Sequence, residues 1–360
     1  MRYQTARAAL GACALAIVVA SMPQRALAVD CSGSQPRPIE LGVSGGNIHS
    51  FNKKKTLCFS GTLGSMVQDG SGTQFILSNN HVLDDTNKGK RGDPIVQPGL
   101  ADVSCVQDPT TAVANLSRAV KISFGGTNTV DAAIAEVIPG DVSSSIMNIG
   151  PIASTTVAPS PGLAVQKQGT ATCLTMATIS GVGMHGKISY GKGKSARFVN
   201  QIVINGPLPP NNFGGPGDSG SLIVTTDSCP RAVGLLFAGS GDQKQTIANP
   251  ISSVLSKLHV SMTGGCTPAV TAPQAVEQAG NATVSKELLD SATAVRDRHE
   301  DQLMKIPGAV GTAIGMSDTP GQPAIEVYID KMTPEAQASA PKEVEGLPVK
   351  LIENGGFVAY

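Results

Sequence analysis

The sequence of 360 residues has no tryptophan, no net charge and no C-x-x-C pair of cysteines. With 27 basic and 27 acidic side chains, it gives no electrostatic reason to expect nucleic acid or an anionic membrane as the main partner. The missing C-x-x-C pair removes support for zinc or thioredoxin chemistry, and we expect no metal and no cofactor. Charged residues make up only 15% and glycines number 41. This composition favours a β-rich, turn-rich fold and excludes a long helical or coiled-coil protein.

What the sequence does contain begins with a targeting pattern. Two arginines precede an apolar run from Ala8 to Ala20, and an A-x-A site closes the segment at Ala28. A basic start, a short apolar stretch and such a site predict a secretory signal peptide over residues 1–28. The protein is therefore expected to be secreted or periplasmic. The apolar run is short for a bilayer span, so we expect no stable membrane insertion.

After the signal peptide, short apolar or alternating runs are broken by Gly, Pro, Asn and Asp. The clearest are Leu57 to Val67, Thr73 to Ser78, Ala119 to Phe124, Val130 to Ile138, Phe198 to Ile204, Ser221 to Thr225 and Ala232 to Phe237. Many short strands separated by turn signals predict a mostly β fold, an antiparallel barrel or sandwich. The region ends with apolar residues from Ile251 to Leu258 at the spacing of one amphipathic helix.

A proline-containing stretch with few large apolar residues divides the chain. It covers residues 264–279 and is typical of a linker. Beyond it, Val284 to Met304 has helical spacing, and strand-like runs follow at Val310 to Met316, Ala324 to Ile329 and Leu347 to Ile352. The sequence thus predicts a first domain over residues 29–263 and a small α/β domain over residues 280–360.

Six cysteines remain after removal of the signal peptide: Cys31, Cys58, Cys105, Cys173, Cys229 and Cys266. An even number in an exported chain is compatible with up to three disulfides, which allow about 15 pairings. We expect Cys229 and Cys266 to pair and to bracket the last strand and helix of the first domain.

The most specific motif is a glycine-rich segment around Ser219, with the sequence GGPGDSGS from Gly214 to Ser221. Glycines beside the serine let the backbone bend so that two N–H groups can face one point. Such N–H groups stabilise the oxyanion that forms when a serine hydroxyl attacks a carbonyl. The same residues also dominate ordinary turns, so this motif alone does not distinguish a nucleophile from a turn.

Two further residues offer the base and the orienting group that a serine nucleophile needs. His81 follows the apolar run Phe75-Ile76-Leu77, where a loop can aim it inward, although a lone histidine there is more often structural. Asp131 lies in a run of small and apolar residues. An isolated surface aspartate is the simpler interpretation, but an aspartate within an apolar strand needs a donor, and the Nδ1–H of a histidine is a good one.

The order of these candidates along the chain is His81, Asp131, Ser219. Together with Asn-Asn-His-Val, Val-Asp-Ala-Ala-Ile and Gly-Asp-Ser-Gly at the three positions, this order resembles the chymotrypsin-like (trypsin-fold) serine peptidases, in a bacterial exported form. The resemblance covers roughly Cys58 to Val260 and implies a double antiparallel β-barrel for the first domain. The tail is similar to that of bacterial relatives of the plant narrow-leaf trypsin-like protein.

The resemblance implies an exported serine endopeptidase that hydrolyses a protein or peptide substrate through an acyl-enzyme. Ser219 would be the nucleophile, His81 the general base and acid, and Asp131 its orienting group. The N–H groups of Gly217 and Ser219 would form the oxyanion hole. The chain departs from the animal members in lacking cysteines beside the histidine and the serine, and in lacking their Ile/Val-Val-Gly-Gly start.

The substrate pocket also follows from the resemblance. Phe213, six residues before the nucleophile, would form its base, and Gly239 would line one wall. With no acid at the base, a buried arginine would find no partner, whereas an apolar side chain is stabilised by burial. We therefore expect an uncharged, small or medium apolar residue before the scissile bond, unless Asp242 or Glu136 reaches the pocket from elsewhere.

Rival functions have less support. An α/β-hydrolase needs Gly-x-Ser-x-Gly and a histidine after the serine, but residue 221 is serine. The zincin-like start at His299 fails because Leu303 stands where the second histidine belongs. The alternative that remains is a trypsin-fold binding or scaffold protein with little turnover, in which the C-terminal domain performs the recognition. Three intact motifs favour the enzyme.

Overall fold

The computed structural model describes residues 30–52, 54–206, 212–268 and 284–360. The predicted signal peptide, residues 1–28, and residues 269–279 of the predicted linker lie outside the described residues. Cys31 to Tyr360 belong to a single unit.

Short strands dominate the chain from its N-terminal half onward. That half contains β1 (Ile39–Leu41), β2 (Val43–Asn47), β3 (Gly61–Leu63), β4 (Ser65–Gln68), β5 (Gln74–Ser78), α1 (Asn80–Leu83), β6 (Pro94–Val96), β7 (Ala112–Ala119), β8 (Thr127–Asn128), β9 (Ala133–Val137) and β10 (Val142–Ile146). The central part contains β11 (Ala164–Gly169), β12 (Cys173–Ser189), β13 (Ser195–Asn205), β14 (Leu222–Thr225), β15 (Ala232–Ser240), β16 (Gln245–Pro250), α2 (Ile251–Leu258) and β17 (Ser261–Met262). The C-terminal part contains α3 (Lys286–Leu303), β18 (Ala309–Met316), β19 (Pro323–Ile329), α4 (Pro334–Ser339), β20 (Glu343–Val344), β21 (Leu347–Glu353) and β22 (Phe357–Ala359).

The first sheet has the strand order β17-β4-β5-β9-β7-β6-β2-β3 and encloses an apolar core. In its centre β5 and β9 run antiparallel, and Ser78 is the register partner of Ala133. Since His81 comes three residues after Ser78 and Asp131 two residues before Ala133, this pairing brings both residues to the same edge of the sheet. The short helix α1 begins at once after β5 and carries His81.

The second sheet curls until it closes. β11, β14, β15, β16 and β13 are neighbours in that order, and β12 pairs with both β11 and β13. Leu222, the first residue of β14, is the register partner of Leu235 in β15, which fixes the position of the serine loop just before it. The predicted mostly β fold is confirmed, with curled sheets around separate apolar cores.

The C-terminal elements extend this second sheet. β18 pairs antiparallel with β12, β19 follows β18, and β21 lies parallel to β19. Arg296 of α3 is 1% exposed and donates to the carbonyl of Gly183 in β12 at 2.6 Å. Residues 284–360 therefore share backbone hydrogen bonds with β12. The domain boundaries at residues 263 and 280 stay a prediction.

Three disulfides join the six cysteines, Cys31–Cys173, Cys58–Cys105 and Cys229–Cys266. The predicted pairing of Cys229 with Cys266 is confirmed, and this bridge encloses β15, β16, α2 and β17. Each such bridge typically contributes about 2–4 kcal/mol to stability. No helix in the described ranges is both long and apolar enough to cross a membrane.

One predicted strand is absent from the structure, and the longest observed strand has no counterpart among the predictions. The run Ala119 to Phe124 is irregular after β7, because the side-chain amide of Asn87 bonds both the N–H and the carbonyl of Ile122 at 2.9 Å. The long strand β12 was not predicted, since its many Gly and Thr residues give no clear alternation.

Candidate active site

His81 and Asp131 form a close pair at the edge of the first sheet. Nδ1 of His81 lies 2.7 Å from Oδ2 of Asp131, and the backbone N–H of His81 donates to Oδ1 at 3.2 Å. Asp131 is fully buried. Its backbone is held by two amide side chains, since Asn79 donates to its carbonyl at 2.7 Å and its N–H donates to Asn249 at 3.0 Å. The carboxylate therefore has a fixed orientation toward the imidazole.

Tyr190 supplies a contact that sequence reasoning missed. Its hydroxyl donates to Oδ2 of Asp131 at 2.7 Å, and its ring meets the imidazole of His81 edge-on at a centroid distance of 6.0 Å. Phe124 and Phe198 pack against the same ring. No local motif marks this tyrosine, which follows β12 directly. Its proximity to Asp131 comes only from the folded arrangement of the two sheets.

The surroundings of His81 change its proton affinity. Burial alone would lower the pKa of His81, but the charge of Asp131 and hydrogen bonds to Asp131 and to the main-chain oxygen of Tyr360 raise it. The charge and the hydrogen bonds together prevail, so the pKa of His81 is raised above its ordinary value. An imidazole beside a buried carboxylate holds a proton more readily, which suits a group that accepts a proton from a neighbouring hydroxyl.

Ser219 lies where the two sheets meet. Its Oγ is 2.9 Å from the main-chain oxygen of Tyr360 and 3.2 Å from that of Phe237. Nε2 of His81 also lies 2.9 Å from the oxygen of Tyr360. A single main-chain oxygen thus contacts both the hydroxyl and the imidazole. The structure brings His81, Asp131 and Ser219 together.

The loop before Ser219 exposes two N–H groups. Gly217 has a φ of +107°, a conformation that side chains with a β-carbon rarely adopt. Its carbonyl accepts from the hydroxyl of Thr62 at 3.0 Å, and the carbonyl of Ser219 accepts from the N–H of Thr62 at 2.7 Å. Within the described part of the chain, the N–H groups of Gly217 and Ser219 donate to no protein acceptor. Both remain available to a developing negative charge.

A buried ion pair holds the neighbouring residue, Asp218. Nζ of Lys167 lies 3.4 Å from Oδ2 of Asp218, and both side chains are fully buried. Asp218 also accepts from the N–H groups of Ala171 at 2.9 Å and Gly215 at 3.0 Å. Burial lowers the pKa of Lys167, and the carboxylate of Asp218 offsets part of that effect. The negative charge of Asp218 is thus balanced by Lys167, a residue of β11 in the second sheet.

The predicted pocket residues lie beside a tyrosine ring. A β-carbon added to Gly239 would collide with the hydroxyl of Tyr360, so only glycine leaves room for that ring. Phe213 is buried in the apolar cluster against which Tyr360 packs. The space beside Gly239 accommodates a full aromatic ring. Which side chain a substrate places before the scissile bond stays a prediction.

The two acids that might have entered the pocket behave differently. Glu136 is exposed on β9 and stays outside it. Asp242 accepts a hydrogen bond from the hydroxyl of Ser240 at 2.7 Å. The pKa of the Tyr360 hydroxyl is raised mainly by burial, and the negative charges of Asp218 and Asp242 raise it further. In the ranges that the structure describes, no group of three or more His, Cys, Asp or Glu side chains is arranged to hold a metal ion.

Comparison with known proteins gives matches to solved structures alone. The sequence matches no protein-family model and no curated protein. A serine protease specific for glutamic acid, described as using a histidine triad in substrate binding, is 18% identical; the match covers 62% of this chain and 100% of that one, with a TM-score of 0.43.

Two further structures are similar at the same level. Protease A of Thermobifida fusca is 17% identical over 63% of this chain and 99% of its own, with a TM-score of 0.42. Nocardiopsis protease is 17% identical over 57% of this chain and 94% of its own, with a TM-score of 0.39. At this level of similarity, the function of the chain has to come from the chemistry of its own site.

Proposed function

We propose that this protein is a serine endopeptidase with Ser219 as nucleophile, His81 as base and Asp131 as orienting group. One observation carries the proposal: a main-chain oxygen lies 2.9 Å from both Ser219 Oγ and His81 Nε2, while His81 Nδ1 lies 2.7 Å from buried Asp131. The hydroxyl and the imidazole are thus within reach of one common atom, and a buried carboxylate orients the imidazole. Acyl transfer to a peptide requires such a nucleophile, base and orienter close together.

The reaction follows from these positions. The Oγ of Ser219 attacks the substrate carbonyl carbon while its proton passes to Nε2 of His81, and Asp131 stabilises the imidazolium that results. The N–H groups of Gly217 and Ser219 stabilise the oxyanion. His81 then gives the proton to the leaving amine, which breaks the peptide bond and leaves an ester on Ser219. Water, deprotonated by His81, hydrolyses the ester and restores the hydroxyl.

Export is part of the proposal. Disulfides persist in oxidising compartments and are rare in the cytosol, so the three bridges support a secreted or periplasmic location. This agrees with the signal peptide predicted over residues 1–28. The substrate is accordingly a protein or peptide met outside the cytoplasm.

A fluorophosphonate probe tests the nucleophile. We expect covalent labelling at Ser219, abolished by Ser219→Ala and slowed at least about a thousandfold by His81→Ala, because removing the base leaves only the oxyanion hole and binding. Ser221→Ala is a matched control, since that serine lies two residues further along the same loop and its buried hydroxyl has no partner in the described chain. Mass spectrometry of the labelled peptide identifies the site.

The contrary result is equally clear. Folded protein that stays unlabelled, both as the full chain and after deletion of residues 358–360, would contradict the enzyme. It would favour the trypsin-fold binding or scaffold protein instead. Equal loss of labelling in Ser219→Ala and Ser221→Ala would show that the loop had collapsed, and His81→Ala would then decide.

A further inference from the structure

A segment of the chain itself lies along the cleft beside Ser219. β22 pairs antiparallel with β15, with Ala359 opposite Ala238, Val358 opposite Gly239 and Phe357 opposite Ser240. The N–H of Tyr360 continues this ladder and donates to the carbonyl of Phe237 at 3.2 Å. Adding an extended segment to an open strand edge is a common way for proteins to bind peptides. In this chain the segment ends its pairing directly at the nucleophile.

The side chain of Tyr360 fills the pocket next to the nucleophile. Its ring packs beside Gly239 and against the apolar cluster that contains Phe213, Ile204 and Leu236. Val358, two positions earlier on the strand, is 37% exposed. The aromatic ring at Tyr360 is therefore the anchor of the segment, and buried aromatic anchors carry much of the energy of such contacts.

The main-chain oxygen of Tyr360 engages the proposed nucleophile and base. It contacts Ser219 Oγ and His81 Nε2, each at 2.9 Å, so the hydroxyl and the imidazole are both engaged. A peptide bond arriving from outside needs the same pocket, the same strand edge and the same two groups. While the segment is in place, another peptide cannot bind there.

The residues just before the segment enters the cleft are held in place by the rest of the fold. Asn354 is 1% exposed and donates to Gln245 at 3.1 Å. The N–H of Gly241 donates to the carbonyl of Gly356 at 2.8 Å. Phe357 is 3% exposed, with its ring 5.4 Å from that of Tyr328. Val358 still lies opposite Ser189 of β12, and Ala359 and Tyr360 continue along β15 to Ser219.

We propose that residues 358–360 act as a built-in inhibitor of the site, and that its peptide substrates share their chemistry, an extended apolar segment with an aromatic residue before the scissile bond. This rests on the proposed serine endopeptidase function. The inhibitor binds without a covalent bond, as a substrate-like strand whose anchor is Tyr360.

Removing the inhibitor tests the first half. We expect deletion of residues 358–360 to speed fluorophosphonate labelling of Ser219 at least about tenfold, because the hydroxyl and the pocket are freed while Phe357 keeps its packing. Tyr360→Ala, which keeps the strand and removes the anchor, should speed labelling in the same direction. Leu288→Ala, which removes an exposed apolar side chain on α3, is the control and should label like the parent chain.

The labelling result decides this half. Equal labelling rates in the parent chain and in Tyr360→Ala and deletion variants of unchanged melting temperature would overturn the inhibition. Should the deletion variant fail to fold, Tyr360→Ala alone decides, since it leaves every backbone hydrogen bond of β22 in place.

Substrate chemistry tests the second half. The deletion variant is assayed with p-nitroanilides of Phe-Val-Ala-Xaa, where Xaa is Tyr, Phe, Ala or Arg. We expect kcat/KM for Tyr and Phe to exceed that for Ala and Arg at least about tenfold, since an aromatic ring gains apolar contact in the pocket. An arginine would lose its hydration there, and the nearby carboxylates of Asp242 and Asp218 are already paired with Lys244 and Lys167. Equal or faster turnover of the Ala or Arg substrate would overturn the aromatic preference.

A binding measurement separates this inference from the catalytic proposal. A fluorescein-labelled peptide of residues 355–360 is titrated into the deletion variant that also carries Ser219→Ala, which cannot react. We expect binding that weakens at least about tenfold when tyrosine is replaced by alanine in the peptide. If the peptide binds but no variant is labelled, the catalytic function is overturned, whereas docking of the segment in the cleft is supported. Labelling with neither binding nor acceleration would overturn the inhibitor alone.

Discussion

At the scale of single residues, Asp131 receives one of its hydrogen bonds from Tyr190, a residue of the second sheet region. Tyr190 reaches the carboxylate from the end of β12 and donates at 2.7 Å, on the same oxygen that faces His81. A hydrogen bond to a charged group contributes about 1.5–3 kcal/mol. Because Asp131 is fully buried, its side-chain oxygens need such donors in place of water.

Tyr190→Phe should therefore slow labelling of Ser219 about tenfold while the protein stays folded. The ring contacts with Phe124 and Phe198 are kept, so only the hydrogen bond is removed. Tyr328→Phe is a matched control, because Tyr328 is also buried and donates to an acidic side chain, that of Glu326, while phenylalanine keeps the ring contact with Phe357. Labelling that slows equally in both variants would mean that lost stability, not the contact with Asp131, is responsible.

Residue patterns alone could predict the three central residues but not their additional partners. His81, Asp131 and Ser219 each lie in a local motif at a strand end, where sequence carries the information. Tyr190 lies 59 residues from Asp131, and Tyr360 lies 141 residues from Ser219. Contacts at such separations depend on how sheets close and which strands become neighbours, and no local pattern encodes them. The presence of the Tyr360 ring beside Gly239 could not be predicted for the same reason.

At the scale of elements, β19 carries a buried acid in the extended sheet. Glu326 is 7% exposed and accepts from the hydroxyl of Tyr328, two residues along the same face of the strand. Burial raises the pKa of Glu326 to about 7, while the bond from Tyr328 and the charge of Lys350 oppose this rise. The folded chain thus holds a proton on Glu326 that the unfolded chain releases near its ordinary pKa of 4.5.

The stability of the chain should consequently fall as pH rises from about 4.5 to about 7. The folded state binds more protons than the unfolded state over this pH range. The stabilisation that protonated Glu326 contributes is therefore complete below pH 4.5 and is lost above about pH 7. In Glu326→Gln, the decrease in the free energy of unfolding with rising pH should be smaller by an amount on the order of 3 kcal/mol. Urea unfolding at pH 5 and pH 8 measures it, with the exposed Glu335→Gln as control. An unchanged difference between the two pH values in Glu326→Gln would contradict a raised pKa.

Elements were predicted best where apolar periodicity is clear. The helices α2 and α3 and the strands β5, β13, β14, β15, β18, β19 and β21 lie close to their predicted positions. The exceptions have physical causes. Side-chain amides replace strand partners between Val120 and Phe124, and β12 borders several neighbours along 17 residues, so no single face of it is buried throughout.

At the scale of the whole molecule, the two predicted domains share one sheet. β18 pairs with β12, β22 lies against both β12 and β15, and the guanidinium of Arg296 is buried against β12. The sequence has no cysteine after Cys266, so only non-covalent contacts such as these connect the C-terminal segment to the barrel once the chain between them is cut.

A cut between the two parts should leave them associated. A site for a specific protease is introduced between residues 270 and 280, and the nicked protein is run on a sizing column under native conditions. We expect one species at the original position, and two fragments in denaturant, because strand pairing and burial of Arg296 persist after the cut. Separation into two species at micromolar concentration would support independent domains, as the linker pattern suggested.

The buried pair of Lys167 and Asp218 has a consequence for when the site becomes competent. The carboxylate receives its cation from β11 of the same sheet, so the serine loop is complete as soon as the chain has folded. No freshly cut terminus has to arrive to hold the loop in place. A site that is complete on folding would, in the proposed protease, need a restraint from the start. The proposed inhibitor, residues 358–360, is made as part of the same chain and is therefore present at that moment.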